Sequence, residues 1–247
     1  MHYSVQPLEV GRLTVDRSTL TYMRGFGIPT VVPIIMWVIR NHSKTYVLDT
    51  GAPDPQFTST HHVPMLQQED QCPARALSRI GVDPDEVDVV IISHLHFDHA
   101  ANNGLFRHAE FLIQKRELEY AVNPLPIHAR GYEHPAAGFA HPVFEGTKWT
   151  EVDGDQELAA GIEVLFTPGH TPGLQALRVE TSRGPVVIAS DNIPLYENWT
   201  GDPPLLRHIP SGVHVDLKEY FMSFEKLESL GGEILPSHDD RVLAWKA

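Results

Sequence analysis

Short apolar runs separated by polar turns dominate the chain, and their periods predict strands interleaved with helices. Pro33-Ile34-Ile35-Met36-Trp37-Val38-Ile39 and Lys44-Thr45-Tyr46-Val47-Leu48 read as two strands joined by the polar turn Asn41-His42-Ser43. The N-terminal third is expected to alternate short strands of this kind with turns. Val87 to Ile92 is an apolar run of strand length, and Glu110 to Gln114 is another, followed by a short helix over Arg116 to Val122. Ile162 to Phe166 forms a strand, and Gln175 to Glu180 with Pro185 to Ala189 form a hairpin turning at Ser182-Arg183-Gly184. A helix is expected from Pro73 to Ile80, with proline early, where its missing N–H does no harm, and Gly81 as the stop. The strongest helical period runs from Leu217 to Leu230. Leu217, Tyr220, Phe221, Phe224, Leu227 and Leu230 share one face, Asp216 caps the start with Glu219 as its capping-box partner, and Gly231-Gly232 ends it. Glu233-Ile234-Leu235 begins a last strand. Interleaved strands and helices with some hairpin neighbours favour a layered α/β protein with mixed sheets over a purely parallel one.

One long stretch lacks periodicity. Residues Asn123 to Trp149 are rich in proline, glycine and aromatic side chains, the signature of a lid or binding loop in a compact domain. Tyr132, Phe139, Phe144 and Trp149 are candidates either to line an apolar pocket or to pin the loop down. His128, His134 and His141 are expected not to be ligands, and Arg130 is a candidate to meet a substrate carbonyl or carboxylate.

The 247 residues suit a single domain over residues 1–247, and the net charge of −13 argues against nucleic acid or an anionic membrane as partner. Cys72 is the only cysteine, so no internal disulfide forms. The first twenty residues lack the basic start and apolar stretch of a leader, and the longest apolar run is too short to span a bilayer. A cytoplasmic location is the resulting expectation.

Chemistry concentrates where the predicted strands end. His94, His96, Asp98 and His99 form the pattern HxHxDH directly after the Val87–Ile92 run. In extended backbone, side chains two apart share a face, so His94, His96 and Asp98 can converge while His99 turns toward a neighbouring point. Three further candidates each follow a strand: His170 in TPGHTPG, Asp191 in VVIASDN and His238 in ILPSHD. Strand ends are where α/β proteins build their sites. Five imidazoles and two carboxylates without a thiolate suit zinc, manganese or iron. Seven ligands exceed one tetrahedral zinc but suffice for two metals about 3.5–4 Å apart, sharing a carboxylate and a water.

HLHFDHA, TPGHTPG, the Asp49-Thr50-Gly51 turn, the isolated Asp191 and the late His238 together resemble the metallo-β-lactamase superfamily, and within it the N-acyl homoserine lactonases. The resemblance runs from about Thr30 to His238. It implies an αββα sandwich of two mixed sheets flanked by helices, with a dinuclear site at one edge and two divalent ions, zinc first. Carried over by position, His94, His96 and His170 would hold one ion, and Asp98, His99 and His238 the other, with Asp191 bridging. Asp49 would orient a ligand by accepting its second N–H. Asp98 would also accept a proton during turnover. The related lactonases commonly carry a tyrosine three residues after the bridging aspartate, a position occupied here by Pro194. Tyr196 is the candidate to replace it as a catalytic residue, with core packing as its other reading.

The implied activity is hydrolysis of an N-acyl homoserine lactone or a related small lactone or ester, and related lactonases are often homodimers. A thioester hydrolase like glyoxalase II is the alternative. That reading is disfavoured because the chain stops nine residues after His238, with only Arg241 and Lys246 as cations there. A non-catalytic metal-binding module would be expected to have lost ligands, and this chain keeps the full set.

Overall fold

The structure, a computed structural model, describes residues 2–246. Strand β1 (Ser4–Asp16) leads through a single turn, α1 (Arg17–Leu20), into β2 (Pro29–Arg40) and β3 (Thr45–Leu48). Then come α2 (Pro55–His61), β4 (Met65–Leu66), α3 (Pro73–Arg79), β5 (Val89–Ile91), α4 (Phe97–Ala100), β6 (Glu110–Gln114), α5 (Lys115–Val122) and β7 (Trp149–Val152). β8 (Gln156–Ala159), β9 (Ile162–Phe166), β10 (Gln175–Thr181) and β11 (Gly184–Ser190) follow, and α6 (Tyr196–Thr200), α7 (Leu217–Leu230) and β12 (Glu233–Pro236) close the order.

Two mixed sheets result. The first has seven strands in the order β4-β1-β2-β3-β5-β6-β7, antiparallel as far as β3 and parallel beyond it. The second has five in the order β12-β11-β10-β9-β8, with only β11 and β12 parallel. Alternation within strands assigns the layers. Tyr46 and Leu48 of β3, and Val89 and Ile91 of β5, pack with Val164, Leu177, Val179 and Ile188 of the second sheet. Val47 and Val90 point the other way, onto Leu77 of α3 and Ala121 of α5. The outer face of the second sheet, through Leu165, Val187 and Ala189, receives Tyr220, Phe224 and Leu227 of α7. This is the expected αββα sandwich. Each fully buried aliphatic side chain between the layers contributes about 1.5–3 kcal/mol.

Several elements differ from expectation. β1 and β2 are long strands of 13 and 12 residues, not short ones, and pair along nearly their whole length with a bulge between Glu9 and Gly11. Val87 caps a 3-10 turn, so β5 has only three residues. Trp149 begins β7 and does not belong to the loop. In α7, Asp216 Oδ1 caps Lys218 N and Glu219 N at 2.7 and 2.9 Å, but Glu219 makes no reciprocal bond; its carboxylate holds Arg116 instead. Phe221 and Leu230 remain 41% and 37% exposed, because the stripe that meets the sheet is narrower than the sequence period implied.

Candidate metal centre

Five strand ends meet at one edge of the sandwich. Two of them bend sharply there: Asp49 after β3 and Ser190 at the end of β11 sit at φ of 63° and 49°. Backbone strain of this kind collects at functional sites. β5 runs out through Ile92 and Ser93 to His94 and His96, the latter in extended backbone, and α4 then begins at Phe97. Asp98 and His99 therefore lie on a helical turn and do not continue the extended alternation. That switch sends one pair of ligands to one point and the next pair to another.

All seven predicted ligands come together. His94 Nε2 and His170 Nε2 approach His96 Nδ1 at 3.1 and 3.0 Å. Asp191 faces both sides: its Oδ2 is 3.5 Å from His170 Nε2, while its Oδ1 is 3.1 Å from His238 Nε2 and 3.4 Å from His99 Nε2. Asp98 Oδ2 lies 3.8 and 3.9 Å from His99 Nε2 and His238 Nε2. The trios His94/His96/His170 and Asp98/His99/His238 each gather their donor atoms within 4.8 Å.

The far side of four of the five rings fixes the tautomer, as assigned from the hydrogen-bond network. His170 Nδ1–H donates to Val213 O at 2.7 Å and His238 Nδ1–H to Pro33 O at 2.9 Å, so both Nε2 atoms carry lone pairs. His99 Nδ1–H donates to Asp49 Oδ2 at 2.8 Å, leaving its buried Nε2 without a hydrogen-bond partner. Ser93 Oγ gives its proton to Asp49 Oδ2 and therefore accepts from His94 Nδ1–H, which aims the His94 Nε2 lone pair inward as well. Such convergence of lone pairs is poor hydrogen bonding and good metal binding. The 3.0–3.1 Å spacing in the first trio is near the roughly 3.3 Å between ligands of a tetrahedral zinc with Zn–N bonds of about 2.0 Å. The residues fit divalent ions.

Charge points the same way. Burial and the neighbouring imidazoles push His94 and His96 well below the ordinary histidine pKa, and burial lowers His170. Burial also works against charge on His99 and His238, but Asp191 and Asp98 outweigh it and hold both above that value, with Asp49 helping at His99. Burial opposes ionisation of Asp191, yet His238 and His99 keep it well below the usual carboxylate range. The carboxylates demand positive charge at the place where a cation would sit.

The cluster forms the floor of a cavity of about 420 Å³, whose walls include Leu13, Val15, Leu20, Val32, Phe97, Ile127 and Val213. A larger cavity of about 920 Å³, lined by Phe106, Arg107, Phe111 and Lys148, holds none of the seven ligands. The 123–148 loop reaches the centre through Gly131. Its carbonyl accepts from Phe97 N at 2.8 Å, and a Cβ there would lie 2.9 Å from His96 Cδ2. Tyr132 is buried with its ring 5.0 Å from that of His96, while Phe139 stacks on His62, and Phe144 and Trp149 pack against the helical side of the first sheet. His128 lines the cavity without joining the ligands; His134 and His141 engage Val122 O and Glu145. Arg130 turns away to His61 O.

Tyr196 is not brought to this wall. Its ring lies beneath Arg241, 4.3 Å from the guanidinium carbon, packed against the core between the sheets. Pro194 lines the cavity instead. Sequence reasoning passed over four supporting residues. Ser93 and Ser237 bond Asp49 and Asp191, and both precede a ligand histidine, in ISHLH and PSHDD. Tyr220 O–H holds Asp191 O at 2.7 Å, and Glu117 bonds both histidine-bearing loops.

Comparison with known proteins agrees with this geometry. The sequence profile of the metallo-beta-lactamase superfamily matches residues 29–238. An N-acyl homoserine lactonase from Bacillus thuringiensis subsp. kurstaki is 28% identical over 208 residues, 80% of this chain and 78% of that protein. One from Azorhizobium caulinodans is 26% identical over 94% of this chain and 91% of its own length. Among solved structures, a quorum-quenching N-acyl homoserine lactone lactonase superposes with a TM-score of 0.79 at 25% identity, covering 99% of this chain and 95% of that one. An N-acyl homoserine lactone hydrolase with the product N-hexanoyl-L-homoserine bound at its catalytic metal center gives 0.78 at 25% identity over 98% and 95%. Among the described residues, no helix is long and apolar enough to cross a membrane.

Proposed function

The chain belongs to the metallo-β-lactamase superfamily, and from that premise we propose that it is a metal-dependent hydrolase that opens an N-acyl homoserine lactone or a closely related small lactone. The observation that carries this reading is the pair of ligand trios sharing Asp191 at the floor of an apolar-walled cavity. His94, His96 and His170 would hold one divalent ion and Asp98, His99 and His238 a second, with Asp191 lying between the two trios. When bound there, two divalent ions, zinc first with manganese or iron as alternatives, would supply Lewis acidity toward water and a substrate carbonyl near neutral pH.

The chain's own groups do the rest. Asp49 and Ser93 keep the His99 and His94 lone pairs aimed inward. Asp98, 3.8 Å from His99 Nε2 and at the cavity floor, takes a proton from the attacking water and returns it to the leaving alkoxide as the ring opens. Leu13, Val15, Leu20 and Val213 offer an acyl chain a surface that excludes water. Of its two readings, Tyr196 takes the packing role, because its ring is committed beneath Arg241.

A pH-stat hydrolysis panel of metal-analysed protein tests the reading, spanning homoserine lactones, plain lactones, thioesters and β-lactams. Turnover of the homoserine lactones is expected. Activity restricted to thioesters would move the substrate class to that of the glyoxalase II-like enzymes while leaving the ligand set intact.

A further inference from the structure

Glu117 is a fully buried carboxylate that the proposed chemistry does not use. It sits in the first turn of α5 and accepts from three donors. Its Oε1 takes Leu95 N–H at 2.9 Å and Tyr132 O–H at 3.1 Å, and its Oε2 takes Gly173 N–H at 3.0 Å. Leu95 lies between His94 and His96, on the loop leaving the first sheet. Gly173 follows His170 by three residues, on the loop joining β9 to β10 of the second sheet. The contact is close enough that a Cβ at residue 173 would stand 2.1 Å from Glu117 N. One acceptor-only group therefore bonds both loops that carry the first trio. The second trio depends on other partners: Asp49 for His99, Pro33 O for His238 and the α4 turn for Asp98.

We propose that Glu117 is the positioning residue of the His94/His96/His170 position. It sets the separation of the two loops, and through it the affinity of that trio for a divalent ion. The inference rests on the reading of the cluster as a metal centre.

Glu117→Gln keeps the size of the side chain but places an amide N–H₂ against either Gly173 N–H or Leu95 N–H, whichever way it turns. Gln175, at the start of β10, separately ties the second sheet to the first through Ser93 O and Ile92 O, so the sheets stay joined in the variant. Partners that orient ligands without touching the metal typically hold 10–100-fold in affinity. E117Q should lose about that much at one position and less than about threefold at the other.

The experiment titrates chelator-treated protein with Co²⁺, followed by its absorption bands, and with Zn²⁺ in competition with a chromophoric chelator. H170A and H238A serve as references for loss of either position. Wild type is expected to bind two equivalents; E117Q should fill its first with a Co²⁺ spectrum like that of H170A and bind its second about 10–100-fold more weakly than wild type. Equal weakening of both equivalents, unchanged stepwise affinities, or a spectrum like that of H238A would overturn the inference. If circular dichroism shows E117Q unfolded, E117D carries the same expectation and the same refutation, since it keeps the charge but is one methylene too short to span both loops. A wild type that binds no divalent ion refutes the metal-centre reading itself; two bound ions with E117Q unaffected refute only the role of Glu117.

Discussion

Asp49→Asn separates the charge beneath the metal centre from any change of shape. Asparagine is isosteric with aspartate and tolerates the left-handed φ of 63° at this position, so the backbone has no reason to move. The carboxylate accepts three hydrogen bonds, from Ser93 N at 2.7 Å, Ser93 Oγ at 2.8 Å and His99 Nδ1 at 2.8 Å. An amide offers one acceptor oxygen and two donors. With that oxygen toward His99, its N–H₂ meets Ser93 N–H. Flipped, it drives His99 into the Nε2–H tautomer, whose proton points at Asp98 and Asp191 where a lone pair is needed. The first outcome strands a buried donor at about 1–3 kcal/mol. The second costs about 10–100-fold in metal affinity, which is roughly 1.4–2.8 kcal/mol. The two routes agree in size. Stepwise Zn²⁺ affinities from chelator competition, measured beside the thermal unfolding of chelator-treated protein, should show the His99 position weakened by that factor or Tm lowered by about 2–12 °C. Wild-type affinities and Tm in D49N would make Asp49 an ordinary turn residue and refute the tautomer reasoning.

Three further outcomes follow from the geometry. Dialysis against a chelator should abolish turnover and lower Tm, and Zn²⁺ should restore both; free metal at 100 times Kd adds about 2.7 kcal/mol, or roughly 5–11 °C, and a Tm indifferent to metal would count against a cluster drawn from both sheets. Y196F should retain turnover within about twofold, as befits loss of a hydroxyl from a packed ring, whereas a 10²-fold loss would return Tyr196 to the reaction. Asp216 has its pKa lowered by Glu219 N–H and Lys218 N–H, so it stabilises above its unfolded value of about 3.9 and that contribution disappears as pH falls through the lower folded value. D216A should therefore unfold about 2–4 °C below wild type at pH 7, with the gap closing in calorimetric scans as pH falls below the ordinary carboxylate range, while D216S keeps a cap without that pH dependence.

The ligands were legible because every one follows an apolar run, so the strand ends announced the site before any contact was known. β6, β9 and α7 were readable to their ends for the same reason: flanking turn residues bound a clean period. β1 was not. Its bulge at Glu9–Gly11 shifts the phase of the inward residues halfway along, so no single alternation covers Ser4–Asp16. β7 and β8 carry exposed polar residues such as Thr150, Glu151, Gln156 and Glu157, and the pairing of their neighbours, not apolar burial, makes them strands. The roles of Glu117 and Tyr196 are tertiary facts. Glu117 meets a residue 56 positions away, and Tyr196 is claimed by Arg241, which no local pattern announces.

The seat of the 123–148 loop on His96 has a consequence for redesign. A transplanted loop from another protein would have to present a residue without a side chain at position 131 and its carbonyl to Phe97, or it would displace the imidazole it covers. Length can be added before or after that contact, but not through it. The shape of the cavity and the seat of His96 are thus mechanically joined at one atom's width, and remodelling the loop that lines the cavity also alters its floor.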